Sequence, residues 1–288
     1  MKRWLIAARP KTLPASFAPV IVGASIAYAD GNFSTINTIL AFLCALLFQI
    51  GSNYVNDLYD YLKGADKDRK SGPTRAVSSG LISPTEMKKA IFIIFVVAFI
   101  IGLKLVFDKG ILVLIIGMLS IVFAIAYTAG PFPLAYNGLG DLFVFIFFGL
   151  VGVNGTYYVN AGSFSLIAFI SSAIIGLLVA NILVVNNYRD YEEDKQSSKK
   201  TLVVRLGKKF GIVQYIFSLV ASYILLIMLF LRTNNLFILL PFVLSPFGIG
   251  LVLQIFKLEG SNLNNTLSLT ALFAFAFSIL LSTGFVII

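Results

Sequence analysis

Long apolar runs alternate with short polar gaps along the chain. A helix that crosses a membrane needs about 20 apolar residues. By that measure nine segments stand out, at 15–29, 36–59, 90–106, 111–127, 139–158, 166–188, 212–231, 236–256 and 267–288. The pattern predicts an all-α fold: a polytopic membrane helical bundle of about nine transmembrane helices, forming one integral-membrane domain over 1–288. Most connections are a few residues long. The long polar ones, 63–89 and 189–209, are the segments expected to cap a site. The connection at 129–138 is rich in Pro and Gly and uncharged, and it reads as a turn rather than a lid.

Composition narrows the class. With 58% hydrophobic and 12% charged residues, the chain does not have the balance of a soluble domain. Of its 22 basic residues, all but Lys104, Lys109 and Arg232 fall on one side of the nine-span topology. The positive-inside rule makes that side cytoplasmic, with the N-terminus inside and the C-terminus outside. The basic start and Ala27-Tyr28-Ala29 have the form of a cleavable leader. Arg9, Lys11 and the prolines at 10, 14 and 19 argue that the first segment is retained. There is no histidine, which removes the usual general base and a common zinc or haem ligand. The single Cys44 lies in an apolar run and forms no intramolecular disulfide. No nucleic-acid partner is expected.

Two polar motifs break the apolar pattern. The first, Asn56-Asp57-Leu58-Tyr59-Asp60 running on to Asp66, closes the second apolar segment, and Gln49 and Asn53 extend its stripe backwards. The second, Asn186-Asn187-Tyr188-Arg189-Asp190 running on to Asp194, closes the sixth. In each, Asn and Asp are four residues apart and share a helix face, so the chain reads as two related halves. Carboxylates at the end of a membrane helix are costly unless something cationic binds them. Each motif is trailed by basic residues. Acid followed by base, twice, suggests one shared site for metal ions and a phosphorylated ligand, with Mg²⁺ suited to carboxylate oxygens. Any single Lys is explained by membrane orientation alone, but Arg75 and Arg205 lie well past their motifs and are less generic. Tyr127 is either a belt aromatic or faces the reactive centre. Asp141 starts a helix, where an acid is favourable for structural reasons, and a catalytic role is the alternative.

The motif pair resembles the UbiA superfamily of intramembrane aromatic prenyltransferases, and its 1,4-dihydroxy-2-naphthoate polyprenyltransferase branch in particular. The resemblance is carried by Arg9-Pro10-Lys11-Thr12-Leu13-Pro14, the run from Asn56 to Asp66, Gly72-Pro73-Thr74-Arg75, Tyr127-Thr128, Gly138-Leu139-Gly140-Asp141 and the run from Asn186 to Gly207. The first motif departs from many relatives in spacing Asp60 and Asp66 six apart, with Gly64 between, which puts Asp66 on a bent loop. The resemblance implies that Asn56, Asp60, Asp66, Asn186, Asp190 and Asp194 hold Mg²⁺ and the diphosphate. It implies that Lys67, Lys70, Arg75, Lys200 and Arg205 contact diphosphate oxygens. Asn187 is a further substrate contact, and Arg9 and Lys11 are candidates for the acceptor's carboxylate. Asp57 either assists proton removal or orients Asn56, and Asp60, Asp190 and Tyr127 complete the expected catalytic set. The implied partners are polyprenyl diphosphate, 1,4-dihydroxy-2-naphthoate and the lipid bilayer. The implied place is a bacterial cytoplasmic (inner) membrane with the site facing the cytoplasm. Another aromatic acceptor, such as 4-hydroxybenzoate or homogentisate, is the alternative within the family, and a cation-binding transporter the alternative outside it.

Overall fold

Apolar side chains on every face of a helix need lipid on one side and protein on the other. The computed structural model describes residues 2–66, 71–72 and 74–287, and meets that demand with helices alone. In chain order they are α1 (Lys2–Ala8), α2 (Pro14–Ala29), α3 (Thr35–Leu62), α4 (Pro84–Lys109), α5 (Ile111–Ala126) and α6 (Gly140–Ala161). There follow α7 (Leu166–Arg189), α8 (Tyr191–Gln196), α9 (Leu202–Leu206), α10 (Lys208–Thr233), α11 (Leu236–Lys257) and α12 (Leu263–Val286). No strand occurs among the described residues. Seven of these helices are long and apolar enough to cross a membrane, and α2 and α5 are shorter apolar helices. The chain is an integral membrane protein. The short helices α1, α8 and α9 do not show as apolar runs in the sequence. Helix α4 starts earlier than its apolar run, because Ser83 and Glu86 form a reciprocal capping box around Pro84.

Burial is uneven. Helices α7 and α12 are the most enclosed, and with α2, α6 and α10 they build the main apolar core around Ile174, Leu178, Tyr215 and Phe277. Helix α3 pairs with α4, and α5 flanks them both. Phe92, Ile100, Ile115 and Leu119 lie exposed on α4 and α5, as lipid-facing side chains must. In α6 the segment Phe145–Val151 is wound as a π-helix, and Gly149 there lets α6 touch α7. A Cβ on Gly149 would lie 2.5 Å from the Ser172 carbonyl oxygen. Small residues at crossings are how membrane helices approach closely without a hydrophobic driving force between them.

A left-handed turn follows α3 and another follows the short helix α8, and they place Asp66 and Lys199. After α3, Gly64 takes a left-handed conformation at φ 74°. The Ala65 amide donates back to the Asp60 carbonyl at 2.9 Å, and the Gly64 amide to the Tyr61 carbonyl at 3.0 Å. This double bond pattern is a Schellman turn, and it brings Asp66 back beside Asp60. After α8, Ser198 adopts φ 59°, and the Lys199 amide donates to the Asp194 carbonyl at 2.8 Å. Ser198 has a side chain in a region that favours glycine, which strains it. The expected outcome is that Gly64→Val loses about 1–2 kcal/mol of stability, whereas Ser198→Gly loses none. Thermal unfolding in detergent checks this. A Gly64→Val protein as stable as its parent would show that the turn does not set the helix end.

Candidate active site

The first motif is held by arginines. Asn56 Oδ1 accepts from Arg9 Nη2 at 2.5 Å and from Arg75 Nη1 at 2.7 Å, while Asn56 Nδ2 donates to Thr128 Oγ1 at 3.2 Å. Asp60 Oδ2 accepts from Arg75 Nη2 at 3.1 Å, and Asp60 Oδ1 from the Tyr136 hydroxyl at 2.8 Å. Asp66 Oδ1 lies 3.5 Å from Arg75 Nε. Asp60, Asp66 and Arg75 are all buried. Arg75 therefore lies against both carboxylates, and its charge offsets part of the cost of holding them out of water. Arg9 makes its contact from a left-handed backbone at φ 53°, and strain of this kind clusters at functional sites.

The second motif has a similar inner base. Arg189 donates to both oxygens of Asp190, at 2.6 and 2.8 Å, to Asn186 Oδ1 at 2.9 Å and to Asn264 Oδ1 at 2.9 Å. Lys199 Nζ lies 3.4 Å from Asp194 Oδ1. Asp190, Asp194, Arg189 and Lys199 are buried.

The two motifs meet at one end of the bundle, and Tyr136 joins them. Its hydroxyl binds Asp60, and its carbonyl accepts from the Lys200 amide at 3.0 Å. Lys63 and Lys199 stand over its ring at 4.5 and 5.6 Å. Burial first, and then the Asp60 charge and hydrogen bond, raise the Tyr136 pKa, so the phenol keeps its proton and donates. Burial lowers the Lys63 pKa, opposed by Asp60. A second tie runs through Ser71, whose amide donates to Glu193 Oε1 at 2.8 Å and whose carbonyl accepts from Asn264 at 2.9 Å.

This polar end opens onto an apolar cavity of about 390 Å³. Arg9, Asn56, Arg75, Tyr127, Asn186, Asn187 and Lys199 line its head, and Phe123, Phe143 and Phe147 form an aromatic wall beside it. Asp60, Asp66, Asp190 and Asp194 are not among the lining residues. Amides and cations face the cavity, and the acids sit one layer behind them. Among the described residues no three His, Cys, Asp or Glu side chains converge as a metal cage. The donors are all hard oxygens from carboxylates and amides. That fits Mg²⁺, which takes one or two carboxylates together with substrate phosphate oxygens rather than an all-protein cage.

Several sequence expectations need correction. Asp57 does not line the cavity, and no hydrogen bond between it and Asn56 is seen. Its two oxygens accept the Ala76 and Val77 amides, each at 2.9 Å, and pin the returning loop to α3. Lys200 and Arg205 are exposed, and Arg205 Nε donates to the Lys200 carbonyl at 3.1 Å. The buried lysine at the cavity is their neighbour Lys199. Asp141 lines the cavity and accepts from Gln214 at 3.1 Å. The uncharged connection at 129–138 is more than a turn, since it supplies Tyr136. Lys67, Lys70 and the Lys11 side chain lie outside the described residues. Tyr136, Lys63 and Asn264 were not singled out from sequence, and Lys199, Arg189 and Thr128 lay in quoted motifs without a role. Arg189, next to Asp190 in the motif, offered the plainest readable signal.

The chain is similar to proteins of known sequence and structure. The chain is 42% identical over 211 residues to a 1,4-dihydroxy-2-naphthoate octaprenyltransferase of Escherichia coli, covering 71% of this chain and 68% of that protein. It is 37% identical to the protein of that name in Haemophilus influenzae, covering 75% and 72%. A UbiA homolog from Archaeoglobus fulgidus bound to GPP and Mg²⁺ superposes with a TM-score of 0.70 at 16% identity, covering 99% of this chain and 100% of that one. The apo UbiA homolog from Aeropyrum pernix gives 0.71 at 15% identity, covering 94% and 96%. The model of the UbiA prenyltransferase family matches residues 16–279, and the chain belongs to that family.

Proposed function

We propose that this protein transfers a polyprenyl group from polyprenyl diphosphate to 1,4-dihydroxy-2-naphthoate, releasing diphosphate and CO₂ and giving demethylmenaquinol. The observation that carries this is the meeting of two acid-and-amide motifs at the polar head of an apolar cavity. The donor's diphosphate needs cations and its chain needs an apolar sleeve, and one cavity offers both. The allylic C–O bond breaks with its electron pair on the diphosphate. The electron-rich ring forms the new C–C bond, and the departing carboxylate leaves its electron pair to the ring.

Arg9, Arg75 and Lys199 face the cavity and would take diphosphate oxygens. Arg9 is also placed to receive the acceptor's carboxylate, and Asn187 to hydrogen-bond a substrate. Asn56, Asp60, Asp66, Asn186, Asp190 and Asp194 are the oxygen donors that would hold Mg²⁺, which when bound neutralises charge building on the leaving diphosphate. Tyr136 fixes Asp60 while the diphosphate head fills. The faces of Tyr127 and the Phe123–Phe143–Phe147 wall would stabilise the prenyl cation and exclude water from it. The nine apolar segments would then all cross a bacterial cytoplasmic membrane, counting α2 and α5 as spans. The site would open to the cytoplasm at the end where both halves place their motifs.

The test is an acceptor panel. Purified protein with Mg²⁺ and labelled octaprenyl diphosphate is offered 1,4-dihydroxy-2-naphthoate, 4-hydroxybenzoate and homogentisate. The expected product is a decarboxylated prenyl naphthoquinol, formed in Mg²⁺, stopped by EDTA and restored by added Mg²⁺. Product on another ring would discard the naphthoate assignment. Asp60→Ala and Asp190→Ala should each cost about 100-fold or more in kcat while the protein stays folded. Activity within a few-fold of the parent would remove these acids from the site. Tyr136→Phe should cost about 10-fold, as loss of a group that orients a ligand-binding carboxylate does. Asp57→Asn should instead lower the melting temperature and leave KM for both substrates unchanged.

A further inference from the structure

Helix glycines are destabilising unless something needs the missing side chain, and in this protein two groups of them contrast. At Gly23, Gly149, Gly152, Gly176 and Gly284 an added Cβ would come within 2.5–2.8 Å of a neighbouring atom. Close packing explains these. At Gly117 and Gly155 an added Cβ would meet nothing within 4 Å, and at Gly102 the nearest atom is Cys44 Sγ at 3.8 Å. Packing does not explain them, yet all three line the same cavity.

Their depth is also shared. Gly102 is seven residues from the far end of α4 at Lys109, Gly117 six from the start of α5 at Ile111, and Gly155 six from the end of α6 at Ala161. At 1.5 Å per residue each lies about 9–11 Å from the end of the bundle opposite the motifs. Helix α3 meets this level with Ala41, six residues from Thr35, and Cys44 and Ala45 one turn further in are also small and line the cavity. From Asn56 at the polar head to Ala41 is fifteen residues of α3, about 22 Å. Beyond the belt the cavity continues to Leu105, Val106, Val113 and Tyr158.

We propose that Gly102, Gly117 and Gly155 form a belt that keeps the distal end of the cavity open and so sets which prenyl chain lengths are accepted. The inference rests on the prenyl-transfer function above. A chain anchored by its diphosphate at the polar head reaches the belt only when it is long. A short chain ends before it. Side chains grown from Gly117 or Gly155 would enter the cavity without disturbing a helix contact, and would discriminate by length alone.

The experiment compares octaprenyl and geranyl diphosphate as donors to 1,4-dihydroxy-2-naphthoate, using the full chain carrying Gly117→Phe or Gly155→Leu. The kcat/KM ratio of the long donor to the short one should fall by about 10-fold or more, with the geranyl reaction within about threefold of the parent. Gly250→Phe is the control, since Gly250 also has open space around it but does not line the cavity. It should leave the ratio unchanged. Gly117→Ala should keep the parent's melting temperature and give a smaller fall, which guards against a variant that fails to fold. An unchanged ratio in the belt variants, or an equal loss with both donors, would overturn the inference. No transfer by the parent protein with either donor would overturn the function itself, a result distinct from both.

Discussion

Buried carboxylate charge is the constraint on which the rest of this structure depends. Four aspartates sit at helix ends with almost no water, and each must be compensated within the protein. Arg75 meets Asp60 and Asp66, Arg189 meets Asp190, and Lys199 meets Asp194. These pairings dictate where the chain returns after each motif helix. Arg75 reaches Asp60 because Asp57 holds the next two backbone amides. Lys199 reaches Asp194 because Ser198 accepts a left-handed backbone. Two of these compensating cations, Arg75 and Lys199, also face the cavity, so stability of the apo site and affinity for a diphosphate draw on the same side chains.

Much of this was legible in the sequence. Apolar runs report membrane helices directly, because lipid demands apolar residues on every exposed face. The spacing of Asn56 and Asp60, repeated at Asn186 and Asp190, reports a helix face, because the α-helix returns to the same side every three to four residues. The six-residue gap to Asp66 is resolved by the Gly64 turn, which folds the extra residues back. What the sequence did not show is how the connections come together in space. Tyr136 lies far along the chain from Asp60, in a segment without charge, and nothing in its neighbours marks it as a partner. Lys199 and Lys200 are adjacent and chemically identical, and the left-handed turn at Ser198 after α8 decides which one points inward. Asp57 looks like its neighbours in one dimension, yet one helical position turns it from the cavity to the returning loop.

The glycines show a similar limit. A glycine that permits a helix crossing and a glycine that leaves a cavity open are the same letter. Gly149 and Gly155 are less than two turns apart in α6 and serve opposite ends. One removes space between helices, and the other preserves space for something else.

Tyr136 has a thermodynamic consequence. Its hydroxyl holds the first motif and its carbonyl holds the chain just after the second, so neither motif can rearrange without the other feeling it. A ligand that draws Asp60 away from Tyr136 changes the free energy of every state of the Lys199–Lys200 segment. The change must be returned in equal measure when a ligand binds there first. Through this one residue the two halves share a structural tie, and a rearrangement of either is felt by the other.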